Sequence, residues 1–124
     1  MAAQSSKKIA KVAFLIAMEE EAAPFIAKLK LTKRPMKPPA PTVVHEGSYN
    51  GASVLVYSPG ADAGRSLVGT DLAFLTAFLA AQTDAPDLFV NAGTCGGFAA
   101  RGGAVGDVYC CSEFEHHDRR VSES

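Results

Sequence analysis

Short apolar runs alternate with amphipathic stretches along the chain, a pattern that predicts an α/β fold. The run from Ile9 to Ala17 is rich in Val, Ile, Phe and Leu and is followed by three glutamates, which is typical of a buried strand. Apolar residues then recur at helical spacing, so we expect a helix directly after the strand, with Pro24 in its first turn; they are Ala22, Phe25, Ile26 and Leu29. Residues 1–8 are expected to form a flexible tail.

The rest of the chain continues the alternation of strands, turns and helices. A proline-rich surface loop is predicted over residues 34–41, and the Asn50-Gly51 pair predicts a hairpin turn before a return strand from Val54 to Tyr57. Further expected elements are a loop of small residues over 61–69, a helix from Thr70 or Asp71 (either as the cap) through Leu79, a strand from Asp87 to Val90, and a strand from Val105 to Cys111. Since strand-helix-strand units form right-handed parallel crossovers, the predicted fold is a three-layer αβα architecture around a mixed, mainly parallel sheet.

Composition and charge narrow the function classes. The 124 residues suit a single domain, and the net charge of -1 with interspersed signs argues against a nucleic-acid partner. Apolar windows of about 20 residues, which a membrane-spanning helix requires, are absent from the sequence. Three cysteines give neither an even disulfide set nor a zinc spacing, so we expect reduced thiols and a cytoplasmic location.

The glycine-rich stretch that follows Val90 is the strongest candidate for a binding site. Gly93, Gly96 and Gly97 lack a Cβ, so a ligand can approach the backbone at the carboxyl end of a strand. Polar atoms at the same edge come from Asn91, Thr94 and Cys95. This loop therefore predicts a crevice for a flat or anionic ligand.

A second chemistry is compatible with the same loop. The sequence of residues 93–97 fits the G-x-C-x-G form of a nucleophile elbow, in which Cys95 attacks an acyl carbon. His116 or His117 would then act as the base, and Asp118 would orient it. An elbow requires a helix immediately after the nucleophile, and the glycine-broken residues 98–104 are poor helix formers. A cysteine hydrolase is therefore the less favoured alternative.

Four segments in order carry a resemblance to a known family. They are Ala17-Met18-Glu19-Glu20-Glu21-Ala22, the glycine loop from Asn91 to Phe98, Gly106-Asp107-Val108, and His117-Asp118-Arg119-Arg120. Together they resemble the nucleoside phosphorylase superfamily, in particular its methylthioadenosine/S-adenosylhomocysteine nucleosidase branch and the plant-type members that favour methylthioadenosine. The resemblance covers residues 9–121 as the N-terminal part of one such domain, followed by a polar end at 122–124.

The resemblance implies hydrolysis of the bond between ribose C1′ and adenine N9, without a cofactor, in a protein that forms a homodimer at full length. It places Glu21 as the carboxylate that activates water. It also gives binding roles to Met18, Thr94, Cys95 and Gly96, and supporting roles around the site to Asn91, His117 and Asp118. In this reading the Cys95 thiol is an inert wall of the purine pocket.

Two arguments from the residues accompany this implication. Three glutamates without an arginine at the end of the first strand disfavour a phosphate nucleophile and favour water, although acidic residues also suit a helix N-terminus without any function. Adjacent His116 and His117 would point to opposite sides of a strand with no third ligand at a suitable spacing, so no metal is expected.

The resemblance further implies that the fold is incomplete at the C-terminus. In the family the acid that protonates adenine, the pair that holds the ribose hydroxyls and the aromatic clamp on the base come after the position of Ser124. A nucleosidase part with weak or no activity and a non-catalytic nucleoside-binding or dimerising fragment are therefore both open. Either should expose a sheet edge and an apolar face.

Overall fold

The computed structural model describes residues 8–36 and 41–115, and the chain divides into two units at Thr94 and Cys95. The first unit contains a five-stranded sheet in the order β2-β3-β4-β1-β7. Its strands are β1 (Lys11–Leu15), β2 (Thr32–Arg34), β3 (Val43–Tyr49), β4 (Ala52–Ser58) and β7 (Leu88–Asn91). A separate two-stranded hairpin consists of β5 (Ala61–Asp62) and β6 (Arg65–Ser66).

The sheet is mixed, as the pattern predicted. Strand β1 is parallel to both β4 and β7, whereas β2 with β3 and β3 with β4 pair antiparallel. Parallel pairing aligns Phe14 with Val56 on one side and with Val90 on the other. The carboxyl ends of β1, β4 and β7 therefore share one end of the sheet, which is where ligands bind in open α/β sheets.

Two helices cover opposite faces of this sheet. Helix α1 (Glu19–Leu29) buries Ala22 in a cluster that includes Val54 and Val56, whereas helix α2 (Thr70–Asp84) buries Ala80 in a cluster that includes Leu55 and Tyr57. Successive residues of β4 thus face different helices, as the two-residue repeat of a strand requires. The α/β class with three layers is confirmed.

Both tight turns of the first unit have positive φ at their two central residues. Asn50 and Gly51 (φ 48° and 79°) connect β3 to β4, which confirms the predicted hairpin. Ala63 and Gly64 (φ 48° and 75°) connect β5 to β6, where the prediction of a plain loop over 61–69 was wrong. The hairpin forms because a two-residue turn with Gly64 suits the twist of two short antiparallel strands.

The helix termini differ from the sequence prediction. Helix α1 begins at Glu19, so Pro24 lies in its second turn rather than its first. A proline there has no N–H to donate to the carbonyl four residues earlier. Gly69, rather than Thr70 or Asp71, is the N-cap residue of α2, and it has no side chain with which to cap that end.

A polar network on the α2 face joins β2, β3, β4 and the end of α2. The Arg34 guanidinium donates to both carboxylate oxygens of Asp84 (3.0 and 2.6 Å), to Glu46 Oε2 (3.2 Å) and to the Tyr57 hydroxyl (2.9 Å), and that hydroxyl donates to Asp84. We call these four residues the Arg34 network. The sequence prediction placed Arg34 in a proline-rich loop over 34–41, but Arg34 is the last residue of β2, which forms because it pairs with β3. Residues 37–40 of the predicted loop lie outside the described residues.

The second unit, as far as residue 115, contains one short 3-10 turn at Ala99–Arg101 and otherwise irregular backbone. The predicted strand from Val105 to Cys111 is wrong: Val105 and Val108 are 108% and 90% exposed. An apolar run becomes a strand only where another strand pairs with it, and none does so here. Within the described ranges 8–36 and 41–115, no helix is long and apolar enough to cross a membrane.

Candidate functional site

The site lies at the carboxyl end of the parallel strands. Helix α1 starts four residues after β1 ends, and residues 92–94 follow β7, which is the neighbour of β1 in the sheet. Ala92 donates its N–H to the carbonyl of Leu15 (3.0 Å), so the β1–β7 pairing extends to the edge of the loop. This geometry brings the first turn of α1 to the glycine loop.

The Glu21 carboxylate is bound directly to this loop. Thr94 donates its backbone N–H (2.7 Å) and its hydroxyl (2.6 Å) to the same oxygen, Glu21 Oε1. A Cβ at Gly93 would lie 3.3 Å from Glu21 Oε2, so the absence of a side chain allows this approach. The structure thus joins the two segments that the sequence singled out independently.

These contacts favour the charged form of the acid. The Thr94 hydroxyl and then the Thr94 N–H lower the pKa of Glu21 below its ordinary value, and the backbone N–H of Met18 adds to this, while partial burial opposes it. Glu21 is therefore ionised at neutral pH and can accept a proton.

A cleft of about 470 Å³ opens beside this carboxylate. Its lining is mostly apolar, and Glu20 and Glu21 are the charged members; the residues are Ile16, Met18, Glu20, Glu21, Pro24, Phe25, Ala92, Gly93 and Thr94. Neither lysine nor arginine occurs among these lining residues. The cleft therefore suits an uncharged, largely apolar ligand that meets a carboxylate at one point.

The hairpin β5–β6 also reaches this end of the sheet. Ser66 Oγ accepts the backbone N–H of Glu19 (3.1 Å) and donates to Glu20 Oε2 (3.3 Å). Sequence reasoning missed Ser66, because residues 61–69 read as a loop of small residues. The signal that could have found it is Gly64 as the second residue of a two-residue hairpin turn.

The other predicted site residues are distributed as follows. Met18 lines the cleft with Glu21, whereas Asn91 lines a different cavity of about 260 Å³ that also includes Tyr57 and Thr76. Cys95 and Gly96 are exposed residues of the second unit. His117 and Asp118 lie outside the described residues, as does His116.

The alternative chemistries gain no support from the described part of the chain. A nucleophile elbow requires a helix directly after the nucleophile, but the residues directly after Cys95 are not helical. The short 3-10 turn begins only at Ala99. All three cysteines are free and exposed. Among residues 8–36 and 41–115, no three His, Cys, Asp or Glu side chains are grouped to hold a metal ion.

Comparison with known proteins shows the family of this chain. Residues 11–123 match the model of the phosphorylase superfamily. The 5'-methylthioadenosine nucleosidase of Arabidopsis thaliana is 40% identical over 93% of this chain and 45% of that protein, and the 5'-methylthioadenosine/S-adenosylhomocysteine nucleosidase of the same plant is 35% identical over 93% and 47%. The apo structure of the Arabidopsis thaliana 5'-methylthioadenosine nucleosidase superposes with a TM-score of 0.74 at 38% identity, covering 82% of this chain and 43% of that one. The chain spans slightly less than half the length of these relatives, and it belongs to the phosphorylase superfamily.

Proposed function

We propose that the chain is part of a nucleosidase that hydrolyses the N-glycosidic bond of 5'-methylthioadenosine, and of S-adenosylhomocysteine as a second substrate, in nucleoside salvage. The observation that carries this proposal is the Glu21 carboxylate, held by two hydrogen bonds from Thr94 at the edge of a mostly apolar cleft. The names of the two plant relatives supply the substrate class. Residues 9–121 are proposed to form the N-terminal part of the domain.

The residues suit hydrolysis in the following way. Glu21 accepts a proton from water, whose oxygen forms a bond to C1′ of the ribose while the bond from C1′ to N9 breaks. The bonding electron pair leaves with adenine, which takes up a proton from solvent, and Glu21 afterwards releases its proton to solvent. Since the described residues that line the cleft include two carboxylates and neither lysine nor arginine, water is a better nucleophile here than phosphate.

The binding roles rest partly on the cleft and partly on the family resemblance. Met18, Phe25 and Thr94 line the cleft and are proposed to contact the nucleoside. For Cys95 and Gly96, the proposed binding role rests on the resemblance of the glycine loop alone. Asn91, His117 and Asp118 are proposed to support the site from outside the substrate contacts.

An adenine-release assay with the full chain and 5'-methylthioadenosine tests the activity. We expect turnover in phosphate-free buffer that Glu21→Gln abolishes, since an amide cannot accept the proton. Asp71→Asn, which removes the same charge from an exposed position on α2, should leave turnover unchanged. A requirement for phosphate would overturn hydrolysis, and nucleoside binding without turnover would identify a non-catalytic binding fragment instead.

We also propose that the protein acts as a homodimer in its full-length form. Apolar side chains on α2 and β7 support this, because Phe74 and Phe78 are 73% and 51% exposed and Leu88 and Phe89 are about two-fifths exposed. Light scattering after size-exclusion chromatography is expected to give twice the mass of one chain, and a monomer would contradict the proposal.

A cytoplasmic location is proposed on the basis of the thiols. Cys95, Cys110 and Cys111 are free and exposed, which suits a reducing compartment. Fractionation of cells that express the tagged chain should recover it with cytoplasmic markers, and recovery with secreted material would contradict this.

A further inference from the structure

The first turn of α1 receives its cap from another element. Met18 is the residue before the helix, and its side chain makes no capping hydrogen bond. The first N–H groups of a helix have no partner within the helix, and a side-chain oxygen normally accepts one of them. Ser66, 47 residues away from Glu19 in sequence, does so here by accepting the Glu19 N–H.

The same hydroxyl also fixes one of the three adjacent carboxylates. Ser66 Oγ donates to Glu20 Oε2, so a single atom holds both the backbone and a side chain of this turn. Glu21 follows Glu20 directly and is held from the other side by Thr94. The turn that carries Glu21 is therefore anchored to two segments of the first unit, β6 and residue 94.

The position of Ser66 is itself well defined. It pairs with Ala61 across the hairpin, whose turn has the two positive φ values that a two-residue connection requires. Leu67 donates its N–H to the carbonyl of Gly60 (2.9 Å) and closes the base of the hairpin. These hydrogen bonds place Ser66 beside the first turn of α1.

We propose that Ser66 is a positioning residue: by capping α1 and binding Glu20, it holds the first turn of the helix so that the Glu21 carboxylate remains on Thr94. The catalytic consequence rests on the proposed nucleosidase function. The structural consequence does not, and it is measurable without substrate.

The structural test uses backbone amide exchange and the carboxyl resonances of the full chain in NMR. In the unmodified protein the Glu19 amide should be protected, and Ser66→Ala should accelerate its exchange by roughly fivefold, the ratio expected for loss of one cap. The pKa of Glu21 should rise in Ser66→Ala, because its hydrogen bonds to Thr94 loosen. Ser66→Thr keeps a hydroxyl and should restore both values.

Ser48→Ala is the matched control, since Ser48 is an exposed serine near the carboxyl end of β3, where it pairs with Ser53 at the start of β4. It should change neither the Glu19 exchange nor the Glu21 pKa. Equal Glu19 exchange in the unmodified protein and in Ser66→Ala, or an unchanged Glu21 pKa, would overturn the proposal. If Ser66→Ala does not fold, the unmodified protein decides: an exchange rate at Glu19 equal to that of an unstructured peptide overturns the proposal, and protection supports it.

The activity of the same variants separates the two proposals. With an active nucleosidase, Ser66→Ala should reduce kcat by up to about a hundredfold, as misplacement of a catalytic group does, while KM changes less. If the unmodified chain releases no adenine, the proposed function fails and the NMR measurements still decide the role of Ser66. An active enzyme whose kcat is unaffected by Ser66→Ala would overturn the positioning role alone.

Discussion

Two polar clusters of the first unit have similar hydrogen bonds and different surroundings. In the Arg34 network, the side chains of Arg34 and Asp84 are only 21% and 13% exposed. Both terminal nitrogens of the guanidinium donate to Asp84, one to each carboxylate oxygen. In the pair formed by Glu21 and Thr94, both bonds go to one carboxylate oxygen, and the pair borders an open cleft. The first arrangement links four elements of the fold, whereas the second leaves an acid accessible to a ligand.

The different surroundings of Asp84 and Glu21 indicate that the first carboxylate stabilises the fold and the second is available to a ligand. A carboxylate whose two oxygens both accept from one guanidinium has little capacity left for a ligand, and removing that guanidinium leaves a poorly solvated charge. A carboxylate held at one oxygen beside a cleft keeps capacity for another donor. We therefore expect changes in the Arg34 network to act on stability, and changes at Glu21 and Thr94 to act on proton affinity.

The largest stability effect should come from Arg34→Met. This variant keeps the apolar stem but leaves Asp84 without its guanidinium, so the free energy of unfolding should fall by about 3 kcal/mol. Lys33→Met, on the exposed neighbouring position of β2, removes the same charge and should stay within about 0.5 kcal/mol. Urea unfolding at pH 7 measures both, and equal effects of the two variants would show that the network contributes nothing specific.

A smaller effect is expected from Tyr57→Phe. Burial first, and then the hydrogen bond to Asp84, raise the pKa of Tyr57 to about 12, compared with about 10 in an unfolded chain. Between these values the folded state keeps a proton that the unfolded state has lost. Stability that is fully present below about pH 10 is therefore lost as the pH rises towards 12.

Removing the hydroxyl should cost about 1 kcal/mol at pH 7, the contribution of a typical hydrogen bond. It should also remove part of the loss of stability above pH 10. Urea unfolding at several values between pH 7 and pH 11 checks this. Parallel declines in the variant and the unmodified protein would contradict the assignment to Tyr57, and Tyr49→Phe, at an exposed tyrosine on β3, provides the control.

The sequence predicted those parts of the fold that depend on local patterns. Strand β1, the turn at Asn50-Gly51 and helix α2 follow from short-range periodicity and turn chemistry. The proximity of Glu21 to the glycine loop also followed, because each segment comes after a strand and parallel strands share their carboxyl ends.

The sequence did not predict features whose partners are distant. Arg34 pairs with Asp84 across 50 positions, and Ser66 meets Glu19 across 47, so no local pattern marks either contact. The wrongly predicted strand at 105–111 also reflects the lack of information about distant partners. Its β-forming apolar residues favour a strand locally, but a strand forms only where a neighbour pairs with it.

The smallest effect, and the sharpest contrast with the Arg34 network, is expected from Thr94→Val. The substitution preserves shape and removes the hydroxyl that contributes most to the lowered pKa of Glu21, while the Thr94 N–H continues to donate. The pKa of Glu21 should therefore rise towards its ordinary value of 4.5 without reaching it. Thr94→Ser keeps the hydroxyl and should leave the pKa low.

The sign of the accompanying stability change follows from the direction of the shift. A carboxyl whose pKa is lowered on folding stabilises the protein above its unfolded pKa, and this stabilisation is lost as the pH falls through the folded pKa. Thr94→Val should thus make unfolding less dependent on pH below about 4.5, whereas Arg34→Met destabilises the protein at neutral pH. Carboxyl NMR titration of the two Thr94 variants measures the shift directly. A Glu21 pKa that is identical in Thr94→Val and Thr94→Ser would mean that the hydroxyl does not tune this acid, and the contrast between the two clusters would then rest on burial alone.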